Sequence, residues 1–207
     1  MGDGTREGAP SSAGFLATPR HTEAAEQLFD DDRNGVGYVM NVSRLWAYLP
    51  AALNGLAETM GEATRAASLT PRQRSVLVTA AASALGDSYC SMAWGQKLAE
   101  AADPDVAAGV LRGNDQGLGP AEKALAQWAR QVAGDPNAVT AEHIEALREA
   151  GFDDEQIFGI TLYVALRLAF STVNDALGAA PDHQLGKSVP EAVRSAITYG
   201  RPPDGPA

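Results

Sequence analysis

The stretch "LTPRQRSVLVTAAASALGDSYCSMAWGQKLAE" limits what this chain can fold into more than any other. It opens with Thr70, Pro71 and Gln73, spaced as an N-cap, a first helical residue and a capping-box partner. From Val76 to Leu85 the residues are apolar nearly all round. A helix with no polar face has to be buried on every side. Gly86 ends it, because glycine adopts the left-handed conformation that closes a helix. Asp87 is then a good N-cap for a second helix running to about Ala102. A buried helix followed at once by another needs further elements packed around the pair.

The rest of the chain supplies them. "SRLWAYLPAALNGLAETMGEATRAA" reads as helix, interrupted or kinked at Pro50. Asp103-Pro104 starts a short helix and "GNDQGLG" is a loop. "PAEKALAQWARQVAG" is amphipathic, with Leu125, Trp128 and Val132 at helical spacing. "TAEHIEALREAG" and "DDEQIFGITLYVALRLAFSTVNDALG" each carry a cap and a terminal glycine. The β-branched residues between Ile157 and Phe170 suggest a strand, but the length of the run and the Asp153…Gln156 capping box favour a buried helix. No alternating strand pattern and no Asn-Gly hairpin is visible. The expected fold class is therefore all-α. Residues 1–20 read as a flexible tail, 21–67 as an N-terminal helical region, 68–180 as the core and 181–207 as a C-terminal extension that ends in the irregular "YGRPPDGPA".

Charge and composition narrow the partners. The 207 residues carry a net charge of -10 with no basic cluster, which argues against nucleic acid and anionic membranes. A single cysteine excludes an intrachain disulfide and any cysteine-based metal cluster. His21, His143 and His183 are scattered without metal-ligand spacing and read as surface or loop residues. Neither a metal nor another cofactor is expected. The first 20 residues lack the long apolar segment of a secretory signal, and no apolar run reaches the roughly 18 residues that span a membrane. A cytoplasmic protein acting on a small molecule is the expectation.

Two features carry chemistry. Cys90 sits at the third position of the helix capped by Asp87, where free backbone N–H groups favour a thiolate. Asp87 opposes this, because its carboxylate occupies those donors and repels a second negative charge. A reactive thiol and a small buried apolar cysteine are both compatible with the pattern. The second feature is the polar row Tyr163, Arg167, Ser171 and Asn174, spaced 4, 4 and 3 along one face of an apolar helix. Arg167 either reaches solvent, or makes a structural ion pair, or walls a pocket for an anionic or oxygen-rich small molecule. We expect Arg167 to approach Asp87, with Tyr89, Cys90 and Trp94 lining the same cavity.

The order "LTPRQRSVLVTAAASALGDSYCSMAWGQKL", continued by "GLGPAEKALAQWARQVAGDPNAVTAEHIEALREAGFDDEQIFGITLYVALRLAFSTVNDALG", resembles the core of the alkylhydroperoxidase D and carboxymuconolactone decarboxylase superfamily. The likeness covers roughly residues 40–180. It implies a helical domain that assembles into homo-oligomers, trimers or hexamers, with Trp46 and Tyr48 either at the interface or in the intrachain core. It also implies peroxidase activity of the peroxiredoxin type. The redox members of that superfamily use a Cys-x-x-Cys pair, a histidine four residues on and a glutamate on the preceding helix. Here the second cysteine falls on Cys90, the first on Asp87, the histidine on Trp94 and the glutamate near Ser75. Asp87 cannot close a disulfide, and the indole of Trp94 only donates a hydrogen bond. The two-cysteine cycle cannot run within one chain.

Three functions then compete. The first is a peroxidase-like protein with a degenerate redox site, using Cys90 with an external reductant. The second is a non-redox enzyme of decarboxylase, lactone or aromatic-substrate type. There Asp87 would be general acid or base, Tyr89 a donor and Arg167 an anion anchor, beside Trp94, Tyr163, Ser171 and Asn174. The third is a binding protein that kept the fold and lost the chemistry.

Overall fold

The structure, a computed structural model, describes residues 14–205. Among them there is no strand. The expected tail at 1–20 lies largely outside the described residues, and 14–22 form no helix. The helices are α1 (Glu23–Val36), α2 (Asn41–Trp46), α3 (Pro50–Ala67), α4 (Pro71–Leu85), α5 (Ser88–Ala101), α6 (Pro104–Leu111), α7 (Pro120–Gly134), α8 (Ala141–Glu149), α9 (Asp154–Ala176), α10 (His183–Ser188) and α11 (Glu191–Ala196).

Local chemistry sets the boundaries around the centre. Thr70 accepts from the Gln73 N–H, Gln73 returns the bond to the Thr70 N–H, and Pro71 fills the first turn of α4. Gly86 closes α4 at φ 79°, a left-handed value that suits glycine. Pro50 does not kink a helix. It begins α3, because proline costs nothing in a first turn where its missing N–H would have no partner. Residues 47–49 therefore break the expected helix into α2 and α3.

α4 is the hub. Its residues from Ser75 to Ala82 are all buried, against α5, α6, α7 and α9. Its last turn departs from the expectation, with Ser83 only partly buried and both Ala84 and Leu85 exposed, Leu85 at 37%. α3 lies along α9, close enough that a Cβ on Gly159 would stand 2.9 Å from Ala63 O and Ala67 N. The C-terminal extension belongs to the same core, since Val193 and Ala196 of α11 are buried in it. The described residues after α11 are irregular, as expected, but they are pinned. Ser88 Oγ donates to Arg201 O at 2.7 Å, and Ser91 Oγ lies 3.0 Å from the Tyr199 hydroxyl.

α9 departs most from the sequence reading. Ile157, Ile160, Tyr163 and Val164 are buried, but Phe158 is 70% exposed and Ala165, Ala169 and Val173 also face outward. By length and mean hydropathy alone α9 is the one described helix long and apolar enough to cross a membrane, although Arg167 interrupts its apolar run. In the fold its polar row points inward while part of its apolar surface meets solvent.

Candidate functional site

Asp87 turns the chain from α4 into α5. Its Oδ1 accepts the Cys90 N–H at 2.9 Å, the N-cap bond predicted from the sequence. The carboxylate is only 1% exposed and its Oδ2 has no hydrogen-bond partner. The cap presents Cys90 toward α9. There Arg167 Nη2 donates to Cys90 Sγ at 3.1 Å, and Ser171 Oγ donates at 3.5 Å. The 4-residue spacing of Arg167 and Ser171 on α9 aims both donors at one sulfur.

The sulfur therefore sits between opposed fields. Burial disfavours its anion most strongly, the Arg167 charge favours it, the Asp87 charge disfavours it and the Ser171 hydrogen bond favours it. Burial prevails, and the thiol is pushed up to about 12. At neutral pH Cys90 is a protonated thiol, 3% exposed, with two donors already aimed at it.

Arg167 and Asp87 both meet Cys90, but they make no ion pair with each other. Arg167 contacts the sulfur and lies over two aromatic faces, with its guanidinium carbon 5.3 Å from the Trp94 centroid and 5.0 Å from that of Phe170. It pairs with no carboxylate among the described residues, and its Nε is buried without a partner. On its outer side Arg167 lines an open cleft of about 770 Å³, which Tyr163 and Trp94 share. The opposite wall is α3, with Ala57, Met60 and Thr64.

The sequence-named residues divide as follows. Trp94, Tyr163 and Arg167 line the cleft, while Cys90 and Ser171 stand directly behind Arg167. Asp87 lies deeper, at the start of α5. Tyr89 does not share this cavity. Consecutive residues on a helix point about 100° apart, so it faces a second cleft of about 690 Å³, where its hydroxyl donates to the Asp182 carboxylate. Burial and the Asp182 charge raise the Tyr89 hydroxyl far above the usual phenol range. Asn174 is also outside the cleft. It accepts from the Trp46 indole N–H at 2.8 Å, and Trp46 stacks on Phe170 at 5.6 Å. That places Trp46 inside the protomer, while Tyr48 is exposed and donates to Ala17 O.

Two further cations reach the cleft. Lys97 Nζ lies 4.4 Å and the Arg74 guanidinium 5.6 Å from the Trp94 centroid. Lys97 is held below the ordinary lysine value, first by desolvation over the indole and then by the Arg74 and Arg167 charges. Reading the sequence by motif passed over both residues. The available signal was Lys97 one turn after Trp94 on α5, and Arg74 opening an apolar helix. No cluster of three or more His, Cys, Asp or Glu side chains suited to a metal occurs among the described residues.

This helical arrangement is the alkylhydroperoxidase D-like fold. No family model and no curated protein matches the sequence. Solved structures do match. An uncharacterised peroxidase-related protein from Ralstonia eutropha JMP134, with an alkylhydroperoxidase AhpD core, aligns at a TM-score of 0.71 and 22% identity over 93% of this chain and 98% of that one. A peroxidase-related protein from Silicibacter sp. TM1040 aligns at 0.72 and 18%, over 87% and 97%. The debrominase Bmp8 aligns at 0.68 and 16%, over 88% and 97%. A cysteine-to-alanine variant of that debrominase is in complex with 2,3,4-tribromopyrrole and aligns at 0.65 and 17%, over 90% and 98%.

Proposed function

We propose that this chain is a small-molecule enzyme of non-peroxidase type, with its reaction centre at the Cys90–Arg167 contact and its substrate held in the cleft outside it. The observation that carries the reading is the state of Cys90. A peroxidatic cysteine works as an exposed thiolate. Cys90 is buried, protonated at neutral pH and capped by Arg167. Arg167 spans the thiol and the cleft, so a substrate that engages the guanidinium is placed within one side chain of the sulfur. A debrominase on the same fold supports the idea that the scaffold hosts chemistry other than peroxide reduction. That its cysteine variant holds a halogenated pyrrole supports small organic rings as ligands of such a cleft.

Assembly is part of the proposal. The outward row Phe158, Ala165, Ala169 and Val173 on α9 forms an apolar surface suited to a second copy of the chain. The chain is proposed to act as a homo-oligomer, trimer or hexamer, in the cytoplasm.

The test is peroxide consumption with a dithiol reductant, comparing the wild type with Cys90→Ser. The reading expects no Cys90-dependent rate at neutral pH. Saturable, Cys90-dependent peroxide turnover would return the protein to the single-cysteine peroxidase reading.

A further inference from the structure

Arg74, Lys97 and Arg167 converge on one indole from three directions, two of them from the helices that meet at the Gly86–Asp87 corner and the third from α9. None of the three forms an ion pair with a carboxylate among the described residues. This is unusual in a chain whose net charge is -10, where acids outnumber bases 26 to 16. Other buried or half-buried arginines of the same chain do find carboxylates. Arg130 holds Asp115 through both nitrogens at 2.8 Å, and Arg72 holds Glu122 at 2.6 Å. Glu100 lies one turn from Lys97 but makes its hydrogen bond with Gln96. Arg65, at the outer edge of the cleft, is paired with Glu62.

The aromatic face only partly offsets the repulsion among three cations. A cation over an indole gains about 0.5–2 kcal/mol, and one ring cannot neutralise three charges. The Nε donors of Arg74 and Arg167 are also buried without acceptors. A buried donor left unmade is costly, and three cations without carboxylate partners around one cleft favour a ligand that brings negative charge. The facing wall sets the rest of the ligand. Ala57, Met60 and Leu69 are apolar and line the same cleft.

We infer that the cleft is a binding site for a small organic dicarboxylate, its anionic end held by Arg74, Lys97 and Arg167 above Trp94 and its hydrocarbon or aromatic body laid along α3. This deepens the proposed function, on which its role as a substrate site rests, by naming the substrate class. A planar carboxylate suits the guanidinium forks, which can each give two parallel hydrogen bonds. A bare inorganic anion would leave the apolar half of the cleft unused.

The experiment is titration calorimetry on the full chain at constant ionic strength. The probes are phthalate, benzoate, inorganic phosphate and uncharged phthalamide. Phthalate is expected to bind saturably, at least tenfold tighter than benzoate or phosphate, with no binding of phthalamide. Lys97→Met and Arg74→Met should each weaken phthalate at least tenfold, while Lys123→Gln on the exposed face of α7 leaves it unchanged. Cys90→Ser should still bind phthalate. Lys97 is an exposed residue at the rim of the cleft, so its variant tests the site even if Arg74→Met does not fold. Four results would overturn the inference: no saturable phthalate binding, phosphate binding as tightly as phthalate, phthalamide binding equally well, or indifference to both cation variants. A fifth, salt dissociating an oligomer with no carboxylate bound, would instead assign the cations to a second copy of the chain. Phthalate binding together with Cys90-dependent peroxide turnover would leave the site standing and remove only the non-peroxidase reading.

Discussion

Asp87 shows how one side chain can serve structure and chemistry at once. As N-cap it satisfies the Cys90 N–H, a bond worth about 1 kcal/mol to a helix start. As a buried charge it works against ionisation of the thiol and of Asp175. Asp175 is raised to about 6, by burial first and by the Asp87 charge second, with Arg201 opposing. The sign for stability follows. An acid whose folded value exceeds its ordinary 3.8 is stabilising while both states are protonated, and that contribution is lost as pH rises through about 6. Asp175→Asn is therefore expected to flatten the fall in melting temperature between pH 4 and pH 6.5, measured by thermal denaturation across that range. Asp87→Ala removes the cap as well as the charge. It is expected to cost about 1 kcal/mol or more in urea unfolding, whereas Asp87→Asn keeps the cap and should lower the thiol value.

The elements were legible where their signals are local. Thr70, Pro71, Gln73 and Gly86 fixed α4 because caps and left-handed glycines act within a turn. Asp153 and Gln156 fixed the start of α9 in the same way. What α9 packs against was not legible, because an apolar helix reads alike whether its second face meets core or solvent. Phe158 is the clearest instance. The site divides along the same line. Arg167 and Ser171 shared a face by spacing alone and do meet one sulfur. Tyr89 and Asn174 were placed with them, but their side chains leave their helices toward other partners. Arg74 and Lys97 were missed because only the tertiary crossing of α4, α5 and α9 brings them together. That crossing depends on close helices. Gly159 has Ala63 O and Ala67 N at 2.9 Å from where a Cβ would stand, so Gly159→Ala must push α3 away from α9. It is expected to destabilise by about 1–3 kcal/mol in urea unfolding and to weaken ligand binding in the cleft whose far wall is α3.

At the scale of the whole molecule, a fold shared with peroxidase-related proteins carries a single cysteine that burial keeps protonated. Fold is retained where helices pack, and chemistry changes where a few side chains change. The outward face of α9 gives assembly its own test. If the proposed homo-oligomer uses this face, Phe158→Glu is expected to reduce it to monomers in sedimentation without altering helical content. The central claim concerns Cys90, and its alkylation by iodoacetamide across pH 6 to 11, followed by intact mass in the folded chain, tests it most directly. The account predicts slow modification at neutral pH, with a rate still rising at the top of the range as expected for a thiol pushed up to about 12. Rapid modification with a midpoint below pH 7 would contradict it, because the sulfur would then be a working thiolate.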